Sequence, residues 1–215
     1  MEKIKWGIIG PGNIANNFAD GLKGSYSGQL VSIASKSEDR RKNFGDKYDI
    51  HPDFRFDSYE DIINSEHIDA IYISTPHTLH AEWTIKAAGK GKHILCEKPG
   101  AVNFNEGKKI IEAVREAGVF YMEGFMYRCH PQIPKLVDII KNKIIGDVIS
   151  IETSFGFDMG KTIPDHRLFN KNLAGGGILD VGLYPISFSR LIAGVAIGDK
   201  FSEPKFLDAK ATIGQ

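Results

Sequence analysis

The chain has 215 residues, 42% of them hydrophobic and 25% charged, an ordinary globular composition that excludes dominant disorder because 13 Phe, 7 Tyr and 2 Trp supply apolar surface to offset chain entropy. Its 27 Lys and Arg cancel its 27 Asp and Glu, so no net field draws it to nucleic acid or to an anionic membrane, and any anion it binds is held by local geometry. The two cysteines, Cys96 and Cys129, stand in neither a CxxC nor a Cys/His ligand pattern, which argues against a disulfide scaffold and against a metal site.

A charged start runs straight into a strand-like apolar stretch, Ile4–Ile9, without the core of a signal peptide. No apolar run is expected to approach the roughly 20 residues of a membrane span, so the expected address is the cytoplasm. From Asn13, the residues Ile14, Phe18 and Leu22 recur at i, i+4 and i+8 and predict one face of a helix. Residues 30–34 predict a second strand, 38–47 a second helix and 54–56 a third strand. A helix follows from Ser58, with Glu60 and Asp61 suiting its N-terminus. Residues 68–74 predict a strand that stops at Thr75-Pro76, 80–88 a helix, 92–96 a strand, 105–116 a helix and 119–122 a strand. This alternation predicts an α/β fold with a doubly wound parallel sheet over residues 1–122.

From residue 123 the pattern changes to that of an α+β domain over 123–215. A helix over 133–141 is followed by an alternating run at 148–157 that suits a strand with one wet face. An irregular segment, three glycines at 175–177, a helix over 178–192 and a last strand near 205–213 complete it. Two strands and a helix leave an incomplete, mostly antiparallel sheet too narrow to be stable alone, so either further C-terminal sequence or a heavily covered sheet edge is expected.

Chemistry concentrates at the ends of strands. Gly10-Pro11-Gly12-Asn13-Ile14-Ala15 is G-x-G-x-x-A between the first strand and the first helix. There a first glycine permits the tight turn, a second lets backbone amides approach a pyrophosphate, and the free N–H groups of the helix face the phosphates. An NAD-type site places an acidic residue about 20 residues onward; that place holds Ser35-Lys36-Ser37, with Arg40 and Arg41 one turn further on. Cations and hydroxyls suit a 2′-phosphate, so NADP(H) is preferred, with NAD(H) as the alternative. The other reading of Lys36 and Arg40 is a pair of solvated residues at the start of an exposed helix.

Glu97-Lys98-Pro99 puts a lysine at the carboxyl edge of a parallel strand, where open α/β sheets hold ligands, and the proline ends the strand. In Gly175-Gly176-Gly177-Ile178-Leu179-Asp180-Val181-Gly182-Leu183-Tyr184-Pro185, Asp180 and Tyr184 share a helix face at i and i+4. A phenol beside a cation can exchange a proton with an alcohol. By spacing alone Tyr184 reads as an interfacial aromatic in preference to an acid/base, and Asp180 as a helix-terminal carboxylate.

Together with Glu123-Gly124-Phe125-Met126-Tyr127-Arg128, these motifs, in this order, resemble the Gfo/Idh/MocA oxidoreductases, and within them the branch of glucose-fructose oxidoreductase, dihydrodiol dehydrogenase and xylose dehydrogenase. The resemblance implies an N-terminal Rossmann domain, a C-terminal α+β domain whose sheet packs in homodimers or larger assemblies, and hydride transfer between a nicotinamide and a CH–OH group of a carbohydrate or cyclic diol. It maps the family lysine onto Lys98, the acid/base tyrosine onto Tyr184 and the aspartate onto Asp180. Tyr184 stands where much of the family has histidine, so inositol-type chemistry is disfavoured. Thr75, Pro76 and His80 are expected beside the cofactor, with His80 packing internally at a helix start as the alternative; Arg128 is expected near cofactor or substrate, and His130 nearby. Glu97 is placed on the cofactor side, bonding locally rather than acting as the acid. Asp165-His166-Arg167 falls at the substrate mouth, with Arg167 touching substrate. Family members are generally longer, so the chain resembles a C-terminally truncated member. The alternatives to an enzyme are an NADP-binding sensor or regulatory protein and an inactive truncated form.

Overall fold

The computed structural model describes residues 2–161, 163 and 165–210. The chain divides into two compact units, one of Met1–Phe125 with Lys161–Asp180 and the other of Met126–Gly160 with Val181–Gln215. The segment Lys161–Asp180, expected with the second domain, therefore groups with the first.

The first unit is built on a six-stranded sheet. Its elements are β1 (Ile4–Ile9), α1 (Asn13–Lys23), β2 (Gly28–Ala34), α2 (Glu38–Lys47), β3 (Arg55–Phe56), α3 (Tyr59–Asn64), β4 (Ala70–Ile73), α4 (His80–Gly89), β5 (His93–Cys96), α5 (Phe104–Ala117) and β6 (Tyr121–Glu123). The strand order is β3-β2-β1-β4-β5-β6 and every pairing is parallel. That is the doubly wound order of dinucleotide-binding sheets, with its switch point between β1 and β4.

The central strands are buried because helices cover both faces: Ile8, Ile9, Ile33, Ile71 and Ile73 are solvent-free. The α1 face differs in detail from its predicted stripe. Ala15 and Ala19 are the buried positions, Phe18 is half-buried, and Ile14 is 37% exposed. Small residues at the contact let the helix approach the sheet, and the Phe18 ring stacks on Tyr72 of β4 at 4.1 Å between centroids. Ser58 caps α3 through Glu60 and Asp61 amides, and Asn103 caps α5 through that of Glu106. Cys96 and Cys129 are free thiols.

The second unit holds α6 (Gln132–Lys141) and α7 (Leu183–Ile197). The strand expected at 148–157 is not formed, with no regular structure and no ladder hydrogen bonds there, and residues 205–210 are likewise not a strand; residues 211–213 lie outside the described residues. Alternating polarity suits any extended segment, whereas a strand exists only where a neighbour completes its ladder, and the described residues offer none here. The sheet through which dimerisation was expected is thus not formed by them.

The stretch Lys171–Ile197 is long and apolar enough to cross a membrane by length and composition, contrary to the expectation, although it contains Asp180. It begins with a turn of 3₁₀-helix at Lys171–Leu173 and passes through a π-helical turn, Ile178–Gly182, before α7. Such turns recur at functional sites because they displace a side chain from the α-helical ladder.

Candidate functional site

The carboxyl ends of β1, β4 and β5 bring the predicted motifs of the first unit together. Gly10 leaves β1 at φ +89°, and a Cβ there would stand 3.0 Å from the Ser74 carbonyl oxygen of the loop after β4. The turn therefore needs glycine both for its backbone angle and for the approach of the two loops. Gly12 faces open space and is the N-cap of α1, with no side-chain cap on the helix and no acidic residue in its first turn. Asn13 begins that helix. Its first amides are accordingly left by the side chains to an anion or to water.

At the end of β2, Ser35 is buried and its hydroxyl accepts the Ser37 amide. The Lys36 ammonium lies 5.9 Å from the centre of the Tyr59 ring. Arg40 acts electrostatically on the same phenol, whose burial is the main cause holding its proton more tightly than usual. Arg41 is turned inward, donating to the Ser35 carbonyl at 2.6 Å.

The loop after β4 carries Thr75, whose buried hydroxyl has no hydrogen-bond partner among the described residues, and exposed Pro76. His80, expected to touch the cofactor, is 0% exposed. Its Nδ1 lies 2.7 Å from the Pro99 carbonyl oxygen and its Nε2 lies 2.8 Å from that of Thr75. Both ring nitrogens are engaged internally, which fits the packing alternative and not the cofactor contact: the residue ties two loops together. Glu97 is also held internally, accepting the Tyr72 hydroxyl at 2.5 Å and the Lys98 amide at 3.3 Å.

Lys98 points across the first unit to Asp180. Its ammonium donates to the Asp180 backbone oxygen at 2.6 Å and to the carboxylate at 3.2 Å, with side chains only 16% and 12% exposed. Arg167 brings a second cation to 3.7 Å from the same carboxylate oxygen. The glycine run makes this possible: a Cβ at Gly175 would stand 2.8 Å from the Asn170 oxygen and 2.9 Å from that of Arg167, and Gly176 sits at φ +123°. His77, which sequence reasoning gave no role, is buried in the field of this cluster. Burial first, then the fields of His80, Arg167 and Lys98, pull its imidazole down to about 4, leaving it neutral near pH 7.

In the second unit Tyr184 meets Tyr127 and Phe155 edge to face, at 6.1 and 5.3 Å between centroids. These rings, with Phe188, Met126, Glu152 and Pro185, line an open cavity of about 590 Å³. Arg128, expected at the cofactor, is engaged within this unit. It donates to the Ser187 carbonyl and hydroxyl at 3.1 and 3.0 Å and covers the Phe201 ring at 5.2 Å. His130 accepts the Gln132 amide at the start of α6. Among the described residues no three His, Cys, Asp or Glu side chains are grouped to hold a metal ion.

Residues 4–125 match the profile of the oxidoreductase family with an NAD-binding Rossmann fold, GFO_IDH_MocA. The trans-1,2-dihydrobenzene-1,2-diol dehydrogenase of Mus musculus is 34% identical over 201 residues, which are 93% of this chain and 59% of that protein. The D-xylose 1-dehydrogenase (NADP(+)) 2 of Haloferax volcanii is 33% identical over 191 residues, 89% of this chain and 58% of its own. The chain thus spans less than two thirds of the length of these curated relatives. Among solved structures, the aldose-aldose oxidoreductase of Caulobacter crescentus complexed with glycerol superposes with a TM-score of 0.83 at 27% identity, covering 90% of this chain and 58% of that one. A 3-ketoreductase of Actinomadura kijaniata in complex with NADP and TDP-benzene gives 0.75 at 30% identity, with the same coverage.

Proposed function

The chain belongs to the Gfo/Idh/MocA oxidoreductase family, and from that premise we propose that it is an NADP-dependent dehydrogenase or reductase acting on a CH–OH group of a sugar or cyclic diol. The observation that carries this reading is the buried Lys98–Asp180 pair at the carboxyl edge of the parallel sheet, beside the switch point. A buried ion pair costs desolvation, and one whose lysine also turns to a backbone carbonyl is organised for more than stability.

The fit of a dinucleotide rests on three features of the first unit. The α1 N-terminus has no side-chain cap, Gly12 faces open space, and the Thr75 hydroxyl is buried without a partner among the described residues. Gly10, Gly12, Asn13 and Ile14 would hold the pyrophosphate through their backbone, Thr75 and Pro76 would border the ribose and nicotinamide, and Ser35, Lys36 and Arg40 would bind the 2′-phosphate of NADP. Lys36 and Arg40, both acting on the Tyr59 ring, support the phosphate reading over that of two solvated cations. Support for NADP also comes from the names of the Haloferax relative and of the ketoreductase complex.

When bound, the nicotinamide accepts or supplies the hydride. The protein's part is to orient the substrate and to handle the proton. Lys98 would neutralise the charge developing on the substrate oxygen, Asp180 would fix Lys98 and a substrate hydroxyl, and Arg167 would close the mouth. Tyr184, the acid/base position that the resemblance assigns, would exchange the hydroxyl proton. The aromatic cavity beside it suits the C–H face of a pyranose or carbocyclic ring, and Glu152 on its wall suits hydroxyls.

The test is to mix the purified chain with NADP⁺ and a panel of aldoses and cyclic diols, following absorbance at 340 nm beside a cofactor titration. Turnover that falls by about 100-fold or more in both Lys98→Ala and Tyr184→Phe supports the assignment; near-normal turnover in either removes it. Tight NADP⁺ binding without turnover across the panel would favour a sensor.

A further inference from the structure

The peptide group joining Pro99 to Gly100, directly after Lys98, is gripped at both ends. Its carbonyl oxygen lies 2.7 Å from Nδ1 of His80, and its N–H donates to the Glu123 carboxylate at 2.7 Å. The other nitrogen of His80 lies 2.8 Å from the carbonyl oxygen of Thr75. Both partners of the ring are therefore acceptors. A neutral imidazole carries one N–H, so it would donate to one carbonyl and turn a lone pair toward the other inside a solvent-free site; an imidazolium donates to both.

A charge buried this deeply needs a counter-charge. Titratable groups near His80 include His77, whose ring centre is 5.8 Å away, and Glu123, half-buried at the end of β6, whose carboxyl is held above its ordinary range by burial while the Gly100 N–H and His80 favour its charged form. Glu123 is the acidic one of the two, and it acts on the far end of the same peptide. Carboxylate, peptide and imidazolium thus polarise one another in a single line, which strengthens each bond.

We propose that His80 is an imidazolium with Glu123 as its counter-charge, and that the two are positioning residues which clamp the Pro99–Gly100 peptide and so fix Lys98 relative to the loop after β4. Neither touches substrate or cofactor. The consequence for turnover rests on the role of Lys98 argued above; the charge state of His80 does not.

The experiment uses the full chain labelled with ¹⁵N-histidine, with His80 assigned by through-bond correlation. The expected result near pH 7 is two protonated ring nitrogens for His80, and a single protonated nitrogen overturns the proposal whether or not any substrate turns over. Glu123→Gln keeps an oxygen for the Gly100 amide while removing the charge. It is expected to strip one proton from His80, to shift the ¹³Cε signal of Lys98, and to lower kcat by about 10-fold to 100-fold with KM for substrate and NADP⁺ affinity little changed. An unaltered His80 ring and Lys98 signal in that variant overturns the clamp. Should the variant not fold, the unmodified chain's spectrum still decides the charge.

Discussion

The ammonium of Lys98 reaches Asp180 twice, at its backbone oxygen and at its carboxylate, so that residues 82 positions apart in sequence are joined at one point. Asp180→Asn keeps the shape and the backbone contact but leaves Lys98 without its carboxylate, with the Arg167 cation still close by. Removing one member of a buried pair is expected to cost about 3 kcal/mol. Adding Lys98→Met removes the stranded charge and should restore most of that loss. Urea denaturation of the two single variants and the double variant checks this. Equal, additive losses would mean that the two side chains are not energetically coupled, while activity should stay low in all three.

Gly10 and Gly12 separate folding from binding within one motif. At Gly10, φ +89° and the Ser74 oxygen 3.0 Å from a built Cβ make Gly10→Ala strained, with an expected loss of about 1–2 kcal/mol. At Gly12 the backbone is extended and the space open, so Gly12→Ala should melt within a degree or two of the parent. Its NADP⁺ affinity should nonetheless fall at least about tenfold, since the methyl occupies room that a pyrophosphate needs. Paired melting curves and cofactor titrations distinguish the two.

Cofactor choice is expected to follow Lys36 and Arg40. Replacing Lys36 with aspartate sets a carboxylate where the 2′-phosphate would lie and where an NAD ribose would donate hydroxyls. Titrations with NADP⁺ and NAD⁺ should show the ratio of affinities moving toward NAD⁺ by about tenfold or more, the scale of one charge-assisted hydrogen bond. An unchanged ratio would return Lys36 to the solvated surface.

What could be read from the residues alone follows from how local the cause is. The strand Ile4–Ile9 and the helix Glu38–Lys47 match their predicted bounds, because an apolar run closed by glycine and a charged run capped by Ser37 carry their own limits. The segment at 148–157 was misread because alternation records one face of a strand, not its partner. For His80 the resemblance implied a cofactor contact and the residues allowed packing at a helix start; its ring lies inside, between the Thr75 and Pro99 carbonyls, and choosing between the two readings needs loop geometry that spacing does not encode. Tyr72 gave one local signal, a phenol inside an otherwise aliphatic buried strand, which calls for an acceptor, and Glu97 supplies it.

His77 makes the cluster around Lys98 sensitive to acid. In the unfolded chain its imidazole takes up a proton near pH 6.5, whereas in the folded protein burial and the neighbouring cations hold it down to about 4. Between those values the unfolded state binds a proton that the folded state refuses, so stability falls as pH falls through this window and levels off below it. The full contribution is about 3 kcal/mol, at about 1.4 kcal/mol per pH unit. Other carboxylates, Asp46 and Glu60 among them, also lose favourable partners in acid, so the informative quantity is the difference between the parent and His77→Gln. Urea denaturation at pH 7, 5.5 and 4.5 should show that difference shrinking toward acid, because the variant has no proton to gain at this position. Parallel pH profiles for the two proteins would mean that the His77 imidazole takes up its proton as readily in the folded protein as in the unfolded chain.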